Sequence, residues 1–224
     1  MHYILNIETA TKNCSVALAK DGQTILCNEI AEEGYSHAEQ LHVLIEKTLL
    51  EAGICFQDLK AVAVSQGPGS YTGLRIGVSA AKGLCFTLDI PLIAVDTLQV
   101  LASQVKVTEG LIVPMIDARR MEVYSAIFNS KLEKRREVRA EIITENSFDT
   151  ISGTVYFVGD CADKCKAVLT KPNFIFLEEI KYPSAKEMSV LSFFKFQNNE
   201  FEDVAYFEPY YLKDFMITTS KKVG

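Results

Sequence analysis

The first thirty residues alternate between apolar runs and short polar turns, as the strands of a β-meander do. Residues 3–8, 14–20 and 23–30 are each apolar or alternating in character. The dipeptide Asp21-Gly22 between the second and third runs is a strong signal for a two-residue hairpin turn. The pattern therefore predicts three consecutive antiparallel strands at the start of the fold.

Helical spacing begins after these strands. Ser36 and Glu39 have the spacing of a capping box, and apolar residues then recur every three or four positions until Gly53. The continuous apolar run 61–64 is typical of a strand that is buried on both faces. A helix packed beside a buried strand is therefore expected here.

Strands and helices keep alternating up to the middle of the chain. Ser70 can cap a second helix that reaches about Leu88. Residues 91–95 form another apolar run, and Asp96 begins a second capping box that opens a short helix. The predicted order of elements is then β-β-β-α-β-α-β-α.

A second set of strands is predicted for the other half of the chain. Residues 111–116 and 122–128 have strand patterns, and the mixed charges of Lys131–Arg139 indicate the rim of a hairpin with a further strand beyond it. The remaining predicted elements are a strand at 155–158, a helix at 162–169, a strand at 174–176, a helix capped by Ser184 and an extended tail at 208–212. We expect two lobes, residues 1–104 and 105–224, with the last segment packing back on the first lobe.

Composition and charge narrow the class of protein. The 224 residues are 48% hydrophobic and 23% charged, which is typical of a globular chain with a sizeable core. A net charge of −6 argues against a surface that tracks nucleic acid phosphates by itself. The six cysteines are dispersed among apolar neighbours, and neither a basic leader nor a long apolar run is present. Reduced cysteines and a cytoplasmic location, without a membrane span, are therefore expected.

The glycine-rich segment 66–77 lies between a predicted buried strand and a predicted helix. Backbone N–H groups and the helix dipole can hold an anion at such a junction. The spacing of the glycines matches neither the P-loop nor the dinucleotide-binding pattern, so a tight structural turn is the alternative. Glu8, at the end of the first strand, can contact a nucleotide's metal or phosphate, or simply form hydrogen bonds within its turn. The candidate nucleotide- or anion-binding residues are Glu8, Thr9, Gly67, Gly69, Ser70, Thr72 and Arg75.

A run of small residues marks one face of the second predicted helix. Gly73, Gly77 and Ala81 are four residues apart and leave almost no side-chain bulk there. The neighbour that approaches this face can belong to the same chain or to another. Val43 and Leu50 lie on the preceding helix away from its core stripe, which favours a helical bundle completed by a second chain. The expected interface residues are His37, Leu41, Val43, Leu44, Leu50, Gly73, Ile76, Gly77, Ala80 and Ala81.

Metal and nucleophile signals are weak along the chain. His37 and His42 are five residues apart, which puts them about 140° apart on a helix and prevents joint chelation. Cys161 and Cys165 share a helical face but have no further Cys or His nearby in the sequence. The turn at 117–120 is a candidate anion contact between the lobes, or a solvated turn. We therefore predict neither a metal site nor a catalytic constellation.

Several motifs together resemble the TsaB (YeaZ) family. They are Ile7-Glu8-Thr9-Ala10, the glycine segment 67–77, Asp117-Ala118-Arg119, Pro183-Ser184-Ala185 and Glu208-Pro209-Tyr210-Tyr211-Leu212. The resemblance covers nearly the whole chain. It implies an α/β, actin-like ATPase fold related to ribonuclease H, with two lobes that each have a central mixed sheet flanked by helices.

The resemblance also implies a function without catalysis by this chain. In that family the related subunit TsaD performs threonylcarbamoyl transfer to the adenosine next to the anticodon, while TsaB binds and supports TsaD. The expected partners are TsaD, with TsaE and a threonylcarbamoyl-adenylate synthase in the pathway, or a second copy through the same helices, and tRNA only indirectly. The candidate cofactor is ATP or ADP with magnesium, bound at a junction between subunits. The alternatives are a nucleotide-binding or ATP-hydrolysing enzyme and a metallopeptidase of the related glycoprotease family, although the chain lacks the His-x-x-x-His pair that such a peptidase needs.

Overall fold

The three opening strands are present where the pattern predicts them. The computed structural model describes residues 1–31 and 37–212. β1 (Tyr3–Glu8), β2 (Cys14–Lys20) and β3 (Gln23–Ile30) pair antiparallel in sequence order. Asp21 and Gly22 have φ angles of 48° and 83°, the left-handed conformation that a tight hairpin turn requires.

The first sheet is completed by two parallel strands and covered by helices. Its order is β3-β2-β1-β4-β5, and both β4 and β5 run parallel to β1. The added elements are α1 (His37–Ala52), β4 (Leu59–Gly67), α2 (Tyr71–Leu88), β5 (Leu92–Asp96) and α3 (Thr97–Ser103). Ser70 and Asp96 cap α2 and α3 as predicted, whereas Ser36 lies outside the described residues.

The second sheet contains five more strands in the order β10-β9-β6-β7-β8. The elements are β6 (Leu111–Asp117), β7 (Glu122–Asn129), β8 (Lys134–Ile142), β9 (Val155–Val158), α4 (Ala162–Lys166), β10 (Phe174–Phe176) and α5 (Ala185–Gln197). The predicted hairpin rim at Lys131–Arg139 is wrong for residues 134–139, which belong to β8. β8 is an edge strand with a largely exposed face, so charged side chains there carry no strong apolar alternation.

In the first sheet β1, β2, β4 and β5 are buried on both faces, whereas the edge strand β3 is partly exposed. Leu5 and Ile7 pack with residues of α1 and α2 on one side, while Ile4 and Ala61 pack with residues of α5 on the other. Successive strand residues point to opposite faces, so a sheet with helices on both sides needs apolar residues at nearly every position. α5 thus packs on the first sheet although it follows the second sheet in sequence.

α3 and its cap connect the two halves of the structure. Leu98 and Leu101 of α3 share a core with residues of β6 and β7, and Lys134 Nζ of β8 lies 2.7 Å from Asp96 Oδ2. The lobe boundary near residue 104 stays a prediction. Among the described residues, no helix combines the length and apolar character that crossing a bilayer requires.

Candidate functional site

The small-residue face of α2 packs against this chain's own first turn. A Cβ added at Gly73 would lie 2.1 Å from the carbonyl oxygen of Thr9, and one added at Gly77 would lie 2.2 Å from Thr9 Oγ1. Thr9 Oγ1 in turn donates a hydrogen bond of 2.8 Å to the carbonyl oxygen of Gly73. Ala81 is fully buried in the same core. The expectation that this face receives a second molecule is therefore wrong, because the turn after β1 already occupies the space.

The other predicted interface residues divide into buried and surface positions. Leu41 and Leu44 are core residues of α1, so they cannot contact a partner directly. His37 is half-buried, and its Nε2 lies 2.7 Å from the carbonyl oxygen of Thr11. Val43 and Leu50 are exposed. Ile76 and Ala80 of α2 are partly buried and line an open groove.

This groove lies between α1 and α2 and has a volume of about 990 Å³. It is called the α1–α2 groove below. Its apolar lining residues are Ala38, Phe56, Ile76, Ala80, Leu84 and Leu88. Gly83 also lines it, and a Cβ added there would meet nothing within 4 Å. Sequence patterns missed Phe56 and Leu84 because the groove is formed by two helices and a connecting turn that only the tertiary fold brings together.

One end of the groove carries a small aromatic and cationic cluster. Arg75 Nη1 donates a hydrogen bond of 2.9 Å to Tyr71 Oη, and its guanidinium lies 5.2 Å from the centre of that ring. The ring of Tyr211 lies 5.0 Å from the ring of Tyr71. Arg75, a candidate anion contact from the sequence, thus lines the α1–α2 groove instead of the space between the lobes.

A second concave site, the interlobe cleft, has a volume of about 650 Å³ and opens between the two sheets. Residues of both halves line it. They include Thr11, Lys12, Gly69, Ser70, Thr72, Asp117, Ala118, Arg119 and Asp160. The N-terminus of α2 faces this cleft, so three of the predicted anion-binding residues lie there. The turn at 117–119, which follows the end of β6, also lines this cleft.

Three features of the cleft bear on whether it could hold an anion. Thr11 is buried, and its Oγ1 is without a hydrogen-bond partner in the described structure. Arg119 has a φ angle of 73°, an unusual conformation for a non-glycine residue that is common at functional sites. Burial raises the pKa of Asp160, which accepts a hydrogen bond of 2.9 Å from the Asp117 N–H. The cleft therefore offers a hydroxyl, a guanidinium and a helix N-terminus to an anionic group.

Glu8 does not reach the cleft. Its side chain is fully buried, and Oε1 accepts hydrogen bonds from the Ala10 N–H at 2.6 Å and from Ser65 Oγ at 2.9 Å. Oε2 is buried without a partner among the described residues. Burial raises the pKa of Glu8 from 4.5 to about 7, although the hydrogen bonds from Ala10 and Ser65 oppose the rise. A sealed carboxyl of this kind does not fit a metal ligand for a nucleotide bound in the cleft.

The remaining candidate residues have structural contacts. Gly67 N–H donates to Thr97 Oγ1 at 3.0 Å, and a Cβ on Gly67 would lie 2.8 Å from the Tyr210 carbonyl oxygen. Thr9 is buried against α2, as described above. In residues 1–31 and 37–212, no three His, Cys, Asp or Glu side chains come together in a way that could hold a metal ion.

Two lobes, each with a central mixed sheet flanked by helices, define an actin-like ATPase-fold protein. The EutJ protein of Carboxydothermus hydrogenoformans has this fold at a TM-score of 0.53 and 11% identity, over 85% of this chain and 90% of EutJ. The structure of YeaZ from Pseudomonas aeruginosa is more similar, with a TM-score of 0.82 and 26% identity, over 95% of this chain and all of that one.

Sequence comparison specifies the family within this class. A family model described as TsaD, tRNA N6-adenosine threonylcarbamoyltransferase, matches residues 25–220. The tRNA threonylcarbamoyladenosine biosynthesis protein TsaB of Bacillus subtilis is 38% identical over 57% of this chain and 56% of its own length. The protein of the same name from Escherichia coli is 29% identical over 94% of both chains. The chain belongs to this family and, within it, to the TsaB (YeaZ) proteins.

Proposed function

We propose that this chain is a cytoplasmic, non-catalytic subunit in tRNA threonylcarbamoyladenosine biosynthesis, and that it binds and activates a TsaD-type transferase through the α1–α2 groove. The observation that carries the proposal is the groove itself. The names of its relatives support the pathway. The match of this chain to a family model of the transferase supports a role beside such an enzyme, and the binding of a TsaD-type partner is part of the proposal.

The groove has the properties of a helix-docking surface. α2 has 18 residues, so the groove floor extends for about 27 Å along one helix axis. Apolar side chains line it from Ile76 to Leu88. Phe86 and Leu50 are more than four-fifths exposed on the two helices that form it. Extended apolar surface of this kind marks interaction sites, and two helices of a partner would complete a four-helix arrangement.

The described residues support attachment as the contribution of this chain. The one fully buried carboxyl near the candidate nucleotide site, Glu8, is sealed from the cleft. The net charge of −6 disfavours holding tRNA by phosphate contacts, so other subunits would hold it. In this proposal TsaE and a threonylcarbamoyl-adenylate synthase act in the same pathway without occupying the groove.

A second copy of the chain is the expected occupant when no transferase is present. Both occupants would bury the same apolar residues, so homodimer and heterodimer would exclude each other. Adding the transferase should therefore convert the dimer to a heterodimer in sedimentation experiments. A stable complex that keeps the homodimer contact would contradict shared use of the groove.

Gly83 provides a test that leaves the core intact. Gly83→Arg places a long cationic side chain over the groove, where no atom lies within 4 Å of the new Cβ. Gly83→Ala is the matched control, since it adds one methyl group at the same place. We expect Gly83→Arg to abolish co-elution with the transferase and tRNA modification in a reconstituted reaction, while Gly83→Ala retains both. Unchanged binding by Gly83→Arg, with native circular dichroism, would refute the proposal.

A second candidate function is nucleotide binding in the interlobe cleft, favoured by the unpartnered Thr11 Oγ1 beside the N-terminus of α2. Calorimetry with ATP and Mg²⁺ tests it on the chain alone and on its complex with the transferase. Binding by the chain alone that Thr11→Val weakens would support an ATP site within the lobe cleft. Binding only in the complex would instead indicate a site at the subunit junction.

A further inference from the structure

Arg75 is the one permanently charged side chain among the described residues that line the α1–α2 groove. The other lining side chains are apolar or uncharged polar, apart from the imidazole of His42. None of the lining residues that the structure describes is an aspartate or a glutamate. A partner that enters the groove therefore meets a mainly apolar surface with a fixed cation at one end.

Tyr71 holds the guanidinium of Arg75 in place. Arg75 Nη1 donates a hydrogen bond of 2.9 Å to Tyr71 Oη, and the guanidinium lies 5.2 Å from the centre of the ring. A guanidinium has five N–H donors, so this bond leaves most of them for other acceptors. Arg75 is exposed, and it is in none of the ion pairs of residues 1–31 and 37–212.

A smaller pocket of about 320 Å³ adjoins the groove at this end, and Arg75 lines both. It is called the cationic notch below. Lys82 also lines it, and its Nζ donates hydrogen bonds to the carbonyl oxygens of Ala205 and Phe207 at 3.1 and 3.0 Å. A lysine ammonium has three N–H donors, so one remains. The notch therefore has two cationic groups whose positions are fixed by hydrogen bonds.

Glu208 is the acidic residue among the described residues that line the notch. It is exposed, and it forms no ion pair with Arg75 or Lys82 among the ion pairs of the described residues. Two cations and one unpaired carboxylate leave the notch with a net positive charge. A positive site of this kind is distinctive on a chain whose net charge is −6.

Docking of a partner changes the surroundings of Arg75. A partner that covers the groove removes water from the guanidinium, and a charge that loses water without gaining a counter-charge strongly disfavours binding. Carboxylates are well suited to compensate it, because their two oxygens accept parallel hydrogen bonds from the guanidinium fork. An apolar partner surface alone is therefore a poor match for this end of the groove.

We propose that the protein partner places an Asp or Glu side chain in the cationic notch, where its carboxylate pairs with Arg75 while neighbouring apolar residues of the partner lie in the groove. This inference rests on the function proposed above for the groove. The chain as a whole is acidic, so the notch acts by fixing the position of the partner and not by a general attraction between the two proteins. Partners that lack an acid at this position are rejected, because Arg75 would be left unpaired.

The sign of the effect of Arg75→Gln on transferase affinity tests the proposal. We expect binding to weaken about tenfold, because the carboxylate of the partner loses its counter-charge, and to become less sensitive to salt. Arg75→Lys keeps the charge and should lose less affinity. Tighter binding by Arg75→Gln would show that docking buries an unpaired cation, and unchanged binding would show that the guanidinium stays in water. Either result would overturn the proposal.

Glu208→Gln is the matched control in the same notch. It removes a negative charge, so a carboxylate of the partner meets less repulsion, and we expect equal or tighter binding of the transferase. If Glu208→Gln instead loses as much affinity as Arg75→Gln, the counter-charge comes from this chain and the proposal is overturned. Circular dichroism of each variant verifies that the fold is retained, and sedimentation of each variant alone allows the affinities to be corrected for self-association.

Double-mutant cycles locate the acid on the transferase. Each exposed Asp or Glu of the transferase is changed to its amide and titrated against the unmodified chain and against Arg75→Gln. At one position the amide should weaken binding to the unmodified chain about tenfold and have little further effect on Arg75→Gln. Additive effects at every position would overturn the proposal.

The outcomes separate this inference from the function on which it rests. If Gly83→Arg loses the transferase while Arg75→Gln binds it like the unmodified chain, the groove is the docking site and the acidic anchor is wrong. If the unmodified chain does not bind the transferase, the proposed function and the anchor are both wrong.

Discussion

Replacing Glu8 with Gln should change how the stability of this protein depends on pH. The Glu8 carboxyl is fully buried, and one of its oxygens has no partner among the described residues. Burial raises its pKa from 4.5 to about 7. The folded protein therefore holds the proton more tightly than the unfolded chain does, and the stabilisation is full below pH 4.5 and is lost as pH rises through about 7.

The size of the effect follows from the two pKa values. They differ by about 2.5, and each pKa unit corresponds to 1.36 kcal/mol, so ionisation of Glu8 should cost about 3 kcal/mol of unfolding free energy. Gln cannot ionise, and its amide oxygen can still accept the hydrogen bonds of Ala10 and Ser65. The substitution can also change the unfolding free energy by an amount that does not depend on pH. That amount cancels when the change with pH of the difference between the two proteins is measured.

Urea unfolding at a series of pH values measures this difference. The unfolding free energy of Glu8→Gln minus that of the unmodified chain should increase by about 3 kcal/mol from pH 4.5 to pH 8. Glu39→Gln, at an exposed position of α1, is the matched control and should show no comparable trend. A difference that stays constant or falls as pH rises would mean that Glu8 is ionised in the folded protein, and the nucleotide-metal interpretation of this residue would regain support.

Substitutions at three further positions test the packing and the capping of α2. Gly77→Ala should lower the unfolding free energy by about 1–3 kcal/mol, because its Cβ would lie 2.2 Å from Thr9 Oγ1. Gly83→Ala should raise it by about 1 kcal/mol, since the position is helical and open; chemical denaturation giving both variants the same sign would contradict this assignment. Ser70→Ala should lower the unfolding free energy by about 1 kcal/mol, because the Gly73 N–H loses its cap. Ser70→Asp can still accept that hydrogen bond and should retain the native melting temperature. Equal melting temperatures for Ser70→Ala and the unmodified chain would show that the cap is not stabilising.

Local signals predicted most of the elements. The turn at Asp21-Gly22 and the capping residues Ser70, Asp96 and Ser184 act within a few residues of themselves, so their effects are readable from the sequence. β8 was harder to predict because an edge strand with mixed charges lacks the apolar alternation of a half-buried strand.

The candidate site was only partly predictable. Gly69, Ser70 and Thr72 line the interlobe cleft as candidate anion contacts, but Arg75 lines the α1–α2 groove and Glu8 is sealed beneath the first turn. The spacing of residues along one element says which side chains share a face. It does not say which distant segment covers that face.

The sequence by itself determined the order of strands and helices, their caps and the presence of two unusual faces on α1 and α2. Only the tertiary structure decided that Thr9 fills the small-residue face and that the groove lined by Ile76 and Leu84 stays open. The physical reason is that hydrogen bonds and capping act between neighbouring residues, whereas the burial of a face depends on long-range strand pairing, which here places the turn after β1 against α2.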